Sequence, residues 1–447
     1  ERAKIRRDLI LRLMFEQNLL SVHEFEQSVT APLTIRAQRR FKGQKYPAYL
    51  QLVKRELSDK LSTRQQKSGI RVFTGFSHYS QQLLEQTVAQ QLATLEKQHQ
   101  QKDLQAAMIV TDIETAQVRA LVGDKQSGFA GFNRALHVNR PIGSLVKPVV
   151  YSAALERYEQ YNLATVLDDK PITLKSGKGK SWQPKNYDDK YRGQVPLIDG
   201  LVKSLNIPTV NLGMSLGLDN VVNVMHSLGY TENIVARPSM LLGAINMSPW
   251  QINQIYLPIA KQGNSLKAHA VNLIVSKNGS TLWQFEHEPE QILSTNAAYL
   301  MDYALMEVTK SGTARSLSWR MNNAELAGKT GTSNDLRDSW FIGYDDKYLV
   351  TTWLGKDNND STGLTGSSGA LVLFADYMKS QGVTNKTSVK PDAISLTLFE
   401  QQTGNAVTSE CDGTINYPAI SLGIRTETTC LREKEDKRSW FEKLFGD

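Results

Sequence analysis

The sequence predicts an α+β domain in which strands from distant segments bracket a helical middle. Three observations carry this. Short apolar runs at Met108–Val110 and Val118–Val122 flank the turn residues 112–116 and read as a β-hairpin. The stretch from about 144 to 310 is helical in character, with long loops. Strand-like runs return at Ala324–Thr332, Ser339–Tyr344 and Tyr348–Leu354. Strands at both ends of a helical middle close one sheet only if the chain returns to where it began.

Composition sets the outer bounds. The chain has 447 residues, 40% hydrophobic and 22% charged. That supports a large folded core and more than one domain, and it excludes collagen, a disulfide scaffold or a long disordered tail. The net charge of +7 is interspersed, not gathered into the stripe of a nucleic-acid reader. No run of about 18 apolar residues and no signal peptide occurs. The sequence opens on Glu1, as in a cytosolic protein lacking its start, a mature secreted form or a fragment of something larger. Seven scattered histidines, without an HExxH or CxxC pattern, support no metal site.

In chain order, residues 1–33 read as two helices. Ile5, Leu9, Leu13 and Leu20 recur at helical spacing, Ser21 with Glu24 forms a capping box, and Pro32 stops the second helix. The arginines around the first helix suit an anionic partner or, the plainer reading, a solvated face. Residues 34–100 are expected to be an interdomain linker that includes a helix over Tyr79–His99. Residues 101–390 form the principal domain. Residues 391–447 are a polar extension carrying Cys411 and Cys430, the two cysteines of the chain, and ending in a short amphipathic segment, Trp440–Phe445.

Three short motifs carry chemistry. The first is Ser144-Leu145-Val146-Lys147, which occurs once. A serine hydroxyl needs a base at neutral pH. Three positions on along a helix is a same-face neighbour, so Lys147 can reach the Ser144 oxygen. Pro148 places the pair near a helix start, where the dipole favours negative charge. Gly143 leaves room for a substrate.

The second motif is Ser204-Leu205-Asn206. Its hydroxyl can relay a proton and its amide can hold a peptide-like carbonyl, although the triplet alone also reads as a plain turn. The third is Lys329-Thr330-Gly331-Thr332. A side-chain-free Gly331 on an edge strand lets a substrate backbone lie alongside, and the flanking hydroxyls and ammonium can hold a carboxylate. A phosphate-binding loop is excluded, since that motif needs glycine where Asn323 stands.

Taken together, these motifs resemble the SxxK, SxN and KTG triad of serine penicillin-recognising enzymes. Further stretches resemble class A penicillin-binding proteins, among them Phe129–Ala135, Ile142–Pro148, Asn206–Gly213 and Ala327–Thr332. Gly355–Asn359 and Gly366–Ala370 resemble the 1b-type members. Asp357–Asp360 hints at a calcium loop but lacks its sixth-position glycine.

The resemblance implies a transpeptidase fold: an antiparallel five-stranded sheet flanked by helices, with an all-helical subdomain. It implies that Ser144 is the nucleophile and Lys147 its base, that Ser204 relays a proton to the leaving amine, and that Asn206 holds the substrate amide. Lys329 would supply electrostatic support, Thr330 and Thr332 would bind the terminal carboxylate beside Gly331, and the Ser144 and Thr332 N–H groups would form the oxyanion hole. The implied activity is peptidoglycan DD-transpeptidation on stem peptides ending in D-Ala-D-Ala, with β-lactams as covalent inhibitors. A β-lactamase or carboxypeptidase using water, or a silent cell-wall sensor, are the rivals.

No cofactor, metal or nucleic acid is implied. Lipoprotein activators and division or elongation proteins are. The expected location is the periplasmic side of the bacterial inner membrane, anchored by an N-terminal helix outside this chain. Residues 1–33 would be the remnant of a glycosyltransferase domain, and that activity is expected to be absent. A periplasmic setting leads to the expectation of a Cys411–Cys430 disulfide.

Overall fold

The computed structural model describes residues 2–33, 45–176, 180–410, 412–423 and 426–427. Cys411, Cys430 and the Trp440–Phe445 segment lie outside them. The chain divides into two units, Glu1–Lys45 and Tyr46–Asp447. In the first, two helices, Arg2–Glu16 and Val22–Thr30, pack as a pair. The expected Ser21–Glu24 capping box is present, with Glu24 N donating to Ser21 Oγ at 3.3 Å and Ser21 N to the Glu24 carboxylate at 2.9 Å.

The second unit is built on the five-stranded antiparallel sheet implied by the resemblance. Its strands are β1 (Gln105–Asp112), β2 (Val118–Val122), β3 (Ala327–Thr332), β4 (Ser339–Tyr344) and β5 (Tyr348–Gly355), in the order β3-β4-β5-β1-β2. The hairpin β1–β2 and the three late strands stand where the apolar runs place them. Every residue of β4 and β5 is buried, so both faces of the sheet are covered. Helices α1 (His78–Gln98) and α5 (Ala370–Gln381) pack on one face, with Phe341 of β4 edge-on to Phe374 of α5 at 4.8 Å. Helix α4 (Pro249–Ala260) lies on the other, where Asn253 bonds to Thr351 and Thr111.

Register decides which way the candidate site residues point. Lys329 pairs with Ile342 and Ile342 with Thr351, so Lys329 shares the Asn253 face. Thr330 pairs with Phe341 and faces the α5 side, as does Thr332, two residues on. β3 is an edge strand, with Thr330 and Thr332 bordering one opening and Lys329 fully buried on the other face.

Two expectations change. The stretch from Tyr46 to residue 100 is not a free connector. Its helix Pro47–Lys60 buries Tyr49, Leu52 and Val53, and its Glu56 carboxylate accepts the N–H groups of Ala270 (2.8 Å) and Val271 (2.9 Å). Strand Ile70–Thr74 pairs with Val271–Ser276. A half-buried five-residue strand carries too little hydrophobic signal to stand out among polar neighbours.

The helical middle is also not purely helical. It carries the antiparallel pairs Val166–Asp169 with Gly193–Pro196 and Leu174–Ser176 with Lys180–Trp182. Beyond residue 390, Ile394–Glu400 pairs with Thr414–Ile420 in a small four-stranded sheet. No helix among the described residues is long and apolar enough to cross a membrane.

Candidate active site

Ser144 stands on a short 3-10 turn, Gly143–Val146, that runs directly into helix α2 (Lys147–Leu155). Pro148 lies in the first turn of α2, where a missing N–H breaks no hydrogen bond. The space left by two glycines is filled by the protein itself. Gly143 has φ +54°, and a Cβ there would lie 2.4 Å from Thr332 O. A Cβ on Gly331 would meet Ile142 O and the Leu145 side chain, each at 2.8 Å. The Ser144 turn is therefore pressed against β3.

The Ser204–Asn206 turn reaches the same place from the other side, just before helix α3 (Asn206–Leu216). Ser204 has φ +55°, a left-handed conformation costing roughly 1 kcal/mol in a non-glycine residue and typical of positions fixed for function. Asn206 is locked. Its N–H donates to Asn186 Oδ1 at 2.8 Å, its Nδ2 to Lys185 O at 2.8 Å, and its Oδ1 accepts from Lys147 Nζ at 2.9 Å.

Lys147 and Lys329 are both fully buried and converge on Ser204. Lys147 Nζ lies 3.3 Å from Ser204 Oγ and donates to Ser204 O (2.6 Å) and Leu205 O (3.1 Å) as well as to Asn206. Lys329 Nζ donates to Ser204 Oγ at 2.9 Å and to Thr330 O at 3.1 Å. The Ser204 hydroxyl thus sits between two amines. Among the described residues no hydrogen bond joins Lys147 Nζ to Ser144 Oγ, the contact that the sequence spacing leads one to expect. Carbonyl and amide oxygens on the Ser204–Asn206 turn offer the amine stronger acceptors than one hydroxyl.

Electrostatics follow from burial. Desolvation, then the neighbouring Lys329 ammonium, hold the Lys147 amine well below its ordinary value. Burial brings Lys329 down to about 7. In the unfolded chain both amines keep their protons up to the ordinary lysine value of 10.5. Between about 7 and 10.5 the unfolded state binds more protons at Lys329, so stability rises with pH, by up to about 1.4 kcal/mol per unit. Urea midpoints of the parent should climb from pH 7 to 10, and Lys329→Met should flatten the climb. An equal slope in both would contradict the burial of a neutral amine.

A cleft of about 560 Å³ unites the set: Ser144, Ser204, Asn206, Thr330 and Thr332 all line it. Thr332 Oγ1 accepts from Gly366 N at 3.0 Å, which ties β3 to the loop bearing Ser367, another lining residue. Past β3, Ser333 Oγ donates to the buried Asp338 carboxylate at 2.8 Å, and Trp353 Nε1 holds the other oxygen at 3.0 Å. This fixes the loop through Asp335 and Leu336, both at positive φ, as one wall.

Sequence reading missed Thr313. Its hydroxyl lies 2.7 Å from Thr330 Oγ1, and its N–H donates to Val202 O at 3.2 Å, so it joins β3 to the helix preceding Ser204. No motif marks it. Arg134, in the resemblance stretch 129–135, holds the structure together, because its guanidinium grips Asp357 at 2.8 and 2.5 Å and also pairs with Asp124.

The family described as "penicillin binding protein transpeptidase domain" matches residues 106–378. Penicillin-binding protein 1B of Vibrio cholerae is 41% identical over 447 residues, covering 100% of this chain and 57% of that protein. Penicillin-binding protein 1B of Escherichia coli is 37% identical over 394 residues, covering 87% of this chain and 47% of its own length. The chain thus spans about half the length of the curated relatives it matches. The fold is that of penicillin-binding protein 1A from Haemophilus influenzae, with a TM-score of 0.79 at 19% identity over 96% of this chain and 83% of that one. The PonA1 protein of Mycobacterium tuberculosis, solved with penicillin V, superposes with a TM-score of 0.66 at 22% identity, over 78% of this chain and 96% of that one.

Proposed function

The chain belongs to the penicillin-binding protein transpeptidase domain family, and from that membership we propose that it is a peptidoglycan DD-transpeptidase whose nucleophile is Ser144. The observation that carries this is the convergence of Ser144, Ser204, Asn206, Thr330 and Thr332 on one cleft, with two buried lysines beneath it. Ser144 Oγ attacks the carbonyl of the penultimate D-Ala as Lys147, whose amine burial holds well below its ordinary value, takes its proton. The C–N bond breaks, and Ser204 passes a proton to the departing D-Ala amine. An amine of a neighbouring stem peptide then displaces Ser144 and closes the cross-link. The Ser144 and Thr332 N–H groups hold the oxyanion, at about 3 kcal/mol per donor in comparable acyl transfers. Thr330 and Thr332 receive the terminal carboxylate. β-Lactams acylate the same oxygen in this reading; the PonA1 protein, which shares the fold, is solved in complex with penicillin V.

The missing Lys147–Ser144 hydrogen bond is compatible with this role, because such contacts often tighten only when substrate is bound. Lipoprotein activators, division partners and a periplasmic location remain part of the proposal. The test is to supply uncross-linked glycan strands bearing pentapeptides and separate the digested products. Cross-linked dimers are expected; trimmed tetrapeptide monomers alone would indicate water as acceptor and a carboxypeptidase.

The close seat of the Ser144 turn gives a separate prediction. Gly143→Ala places a Cβ against Thr332 O, so the turn must lift off β3. Acylation by a fluorescent penicillin should fall about 100-fold, on the scale of one lost oxyanion donor, with a native circular dichroism spectrum. Acylation near the parent rate would show that this contact does not set the geometry.

A further inference from the structure

We propose that a polar groove opening off the cleft at Thr313 and Ser367 is the acceptor subsite, binding the carboxylate of the incoming stem peptide through Arg315 and Arg320. The groove encloses about 720 Å³, and Thr313 and Ser367 line both it and the cleft. Its charged and titratable lining residues are Arg315, Arg320, His99 and Asp376. Among the described residues neither arginine makes an ion pair or a side-chain hydrogen bond. The Arg320 guanidinium lies 4.5 Å from the centre of the Trp319 ring. Arg320 and Ser316 both line the groove, and among the described residues Arg320 Nε and Ser316 Oγ make no hydrogen bond. A planar guanidinium suits a carboxylate.

Direction follows from chemistry, and here the inference rests on the transpeptidase reading above. With the penultimate carbonyl at Ser144 and the terminal carboxylate at Thr330 and Thr332, the leaving residue departs beside Thr330, hence beside Thr313. The acceptor amine must occupy the position that the leaving amine vacates, since deacylation by an amine retraces acylation. The acceptor ammonium first loses a proton to solvent. The neutral amine then forms a C–N bond to the acyl carbon, the C–O bond to Ser144 breaks, and the second amine proton ends on Ser144 Oγ through Ser204. The remainder of the acceptor peptide runs out past Thr313 into the arginine groove.

The test measures partitioning of one acyl-enzyme. A depsipeptide donor ending in D-Ala-D-lactate acylates the protein, and two acceptors compete with water: Nα-acetyl-Lys-D-Ala, with a free carboxylate, and its C-terminal amide. The parent should favour the carboxylate form about tenfold, the ratio that ~1.4 kcal/mol produces. Arg315→Ala, at an exposed position, and Arg320→Met, which keeps the apolar stem, should each erase that preference. Penicillin acylation and donor hydrolysis should stay at parent rates. A preference that survives both substitutions, or a parent that aminolyses both acceptors equally, overturns the inference while leaving the transpeptidase reading intact. A parent that is not acylated at all overturns both.

Discussion

Lys147→Ala should abolish acylation of Ser144 by a fluorescent penicillin about as completely as Ser144→Ala does, by a thousandfold or more on the order expected for residues that act as a unit. The reason is positional. Lys147 is fully buried on the first turn of α2, and desolvation, then Lys329, hold its amine well below its ordinary value. It is the base nearest Ser144 in sequence and it is bonded to the turn that carries Ser204. Its loss also strips Ser204 O, Leu205 O and Asn206 Oδ1 of their shared donor, so Asn206 should loosen as well. The measurement is the second-order acylation rate of each variant, with circular dichroism to confirm the fold. A folded Lys147→Ala protein acylating at close to the parent rate places the base elsewhere.

The second large effect belongs to Lys329. Its amine donates to Ser204 Oγ from the opposite face of β3, so it orients the hydroxyl between the two lysines and depresses the basicity of Lys147. Lys329→Ala removes both actions, and acylation should fall on the order of 100-fold or more, the scale seen when one preorganised electrostatic group is lost. Lys329→Arg keeps the charge but brings a bulkier, forked head into a site with no exposure to solvent. It should retain measurable activity between the parent and the alanine variant. If Lys329→Ala acylates as fast as Lys329→Arg, charge at this position is irrelevant and the relay through Ser204 loses its support.

The parts of this site legible in sequence were those encoded by short spacing. Ser144 and Lys147 share a helix start, and Lys329 to Thr332 share a strand, so local periodicity placed each pair before any fold was known. The β1–β2 hairpin and strands β4 and β5 were legible for the same reason, as largely apolar stretches of a sheet buried on both faces. What did not show is long-range. Thr313 matters because its loop crosses from Val202 to Thr330, a meeting of segments more than a hundred residues apart. The Lys147 amine turns toward Ser204 and Asn206, 57 and 59 positions away, which helical spacing alone could not reveal. Residues 34–100 read as a linker because what ties the described part down is long-range, as where Glu56 is held by backbone N–H groups at Ala270 and Val271, a bond without a sequence signature.

The central claim is that Ser144 is the residue that carries the acyl group. Intact-protein mass spectrometry after penicillin treatment, followed by proteolysis and peptide mapping, tests it directly. The account predicts one adduct of the mass of the opened penicillin, located on the peptide containing Ser144 and absent from Ser144→Ala. An adduct on Ser204 or any other residue, or undiminished labelling of the folded Ser144→Ala protein, would contradict it.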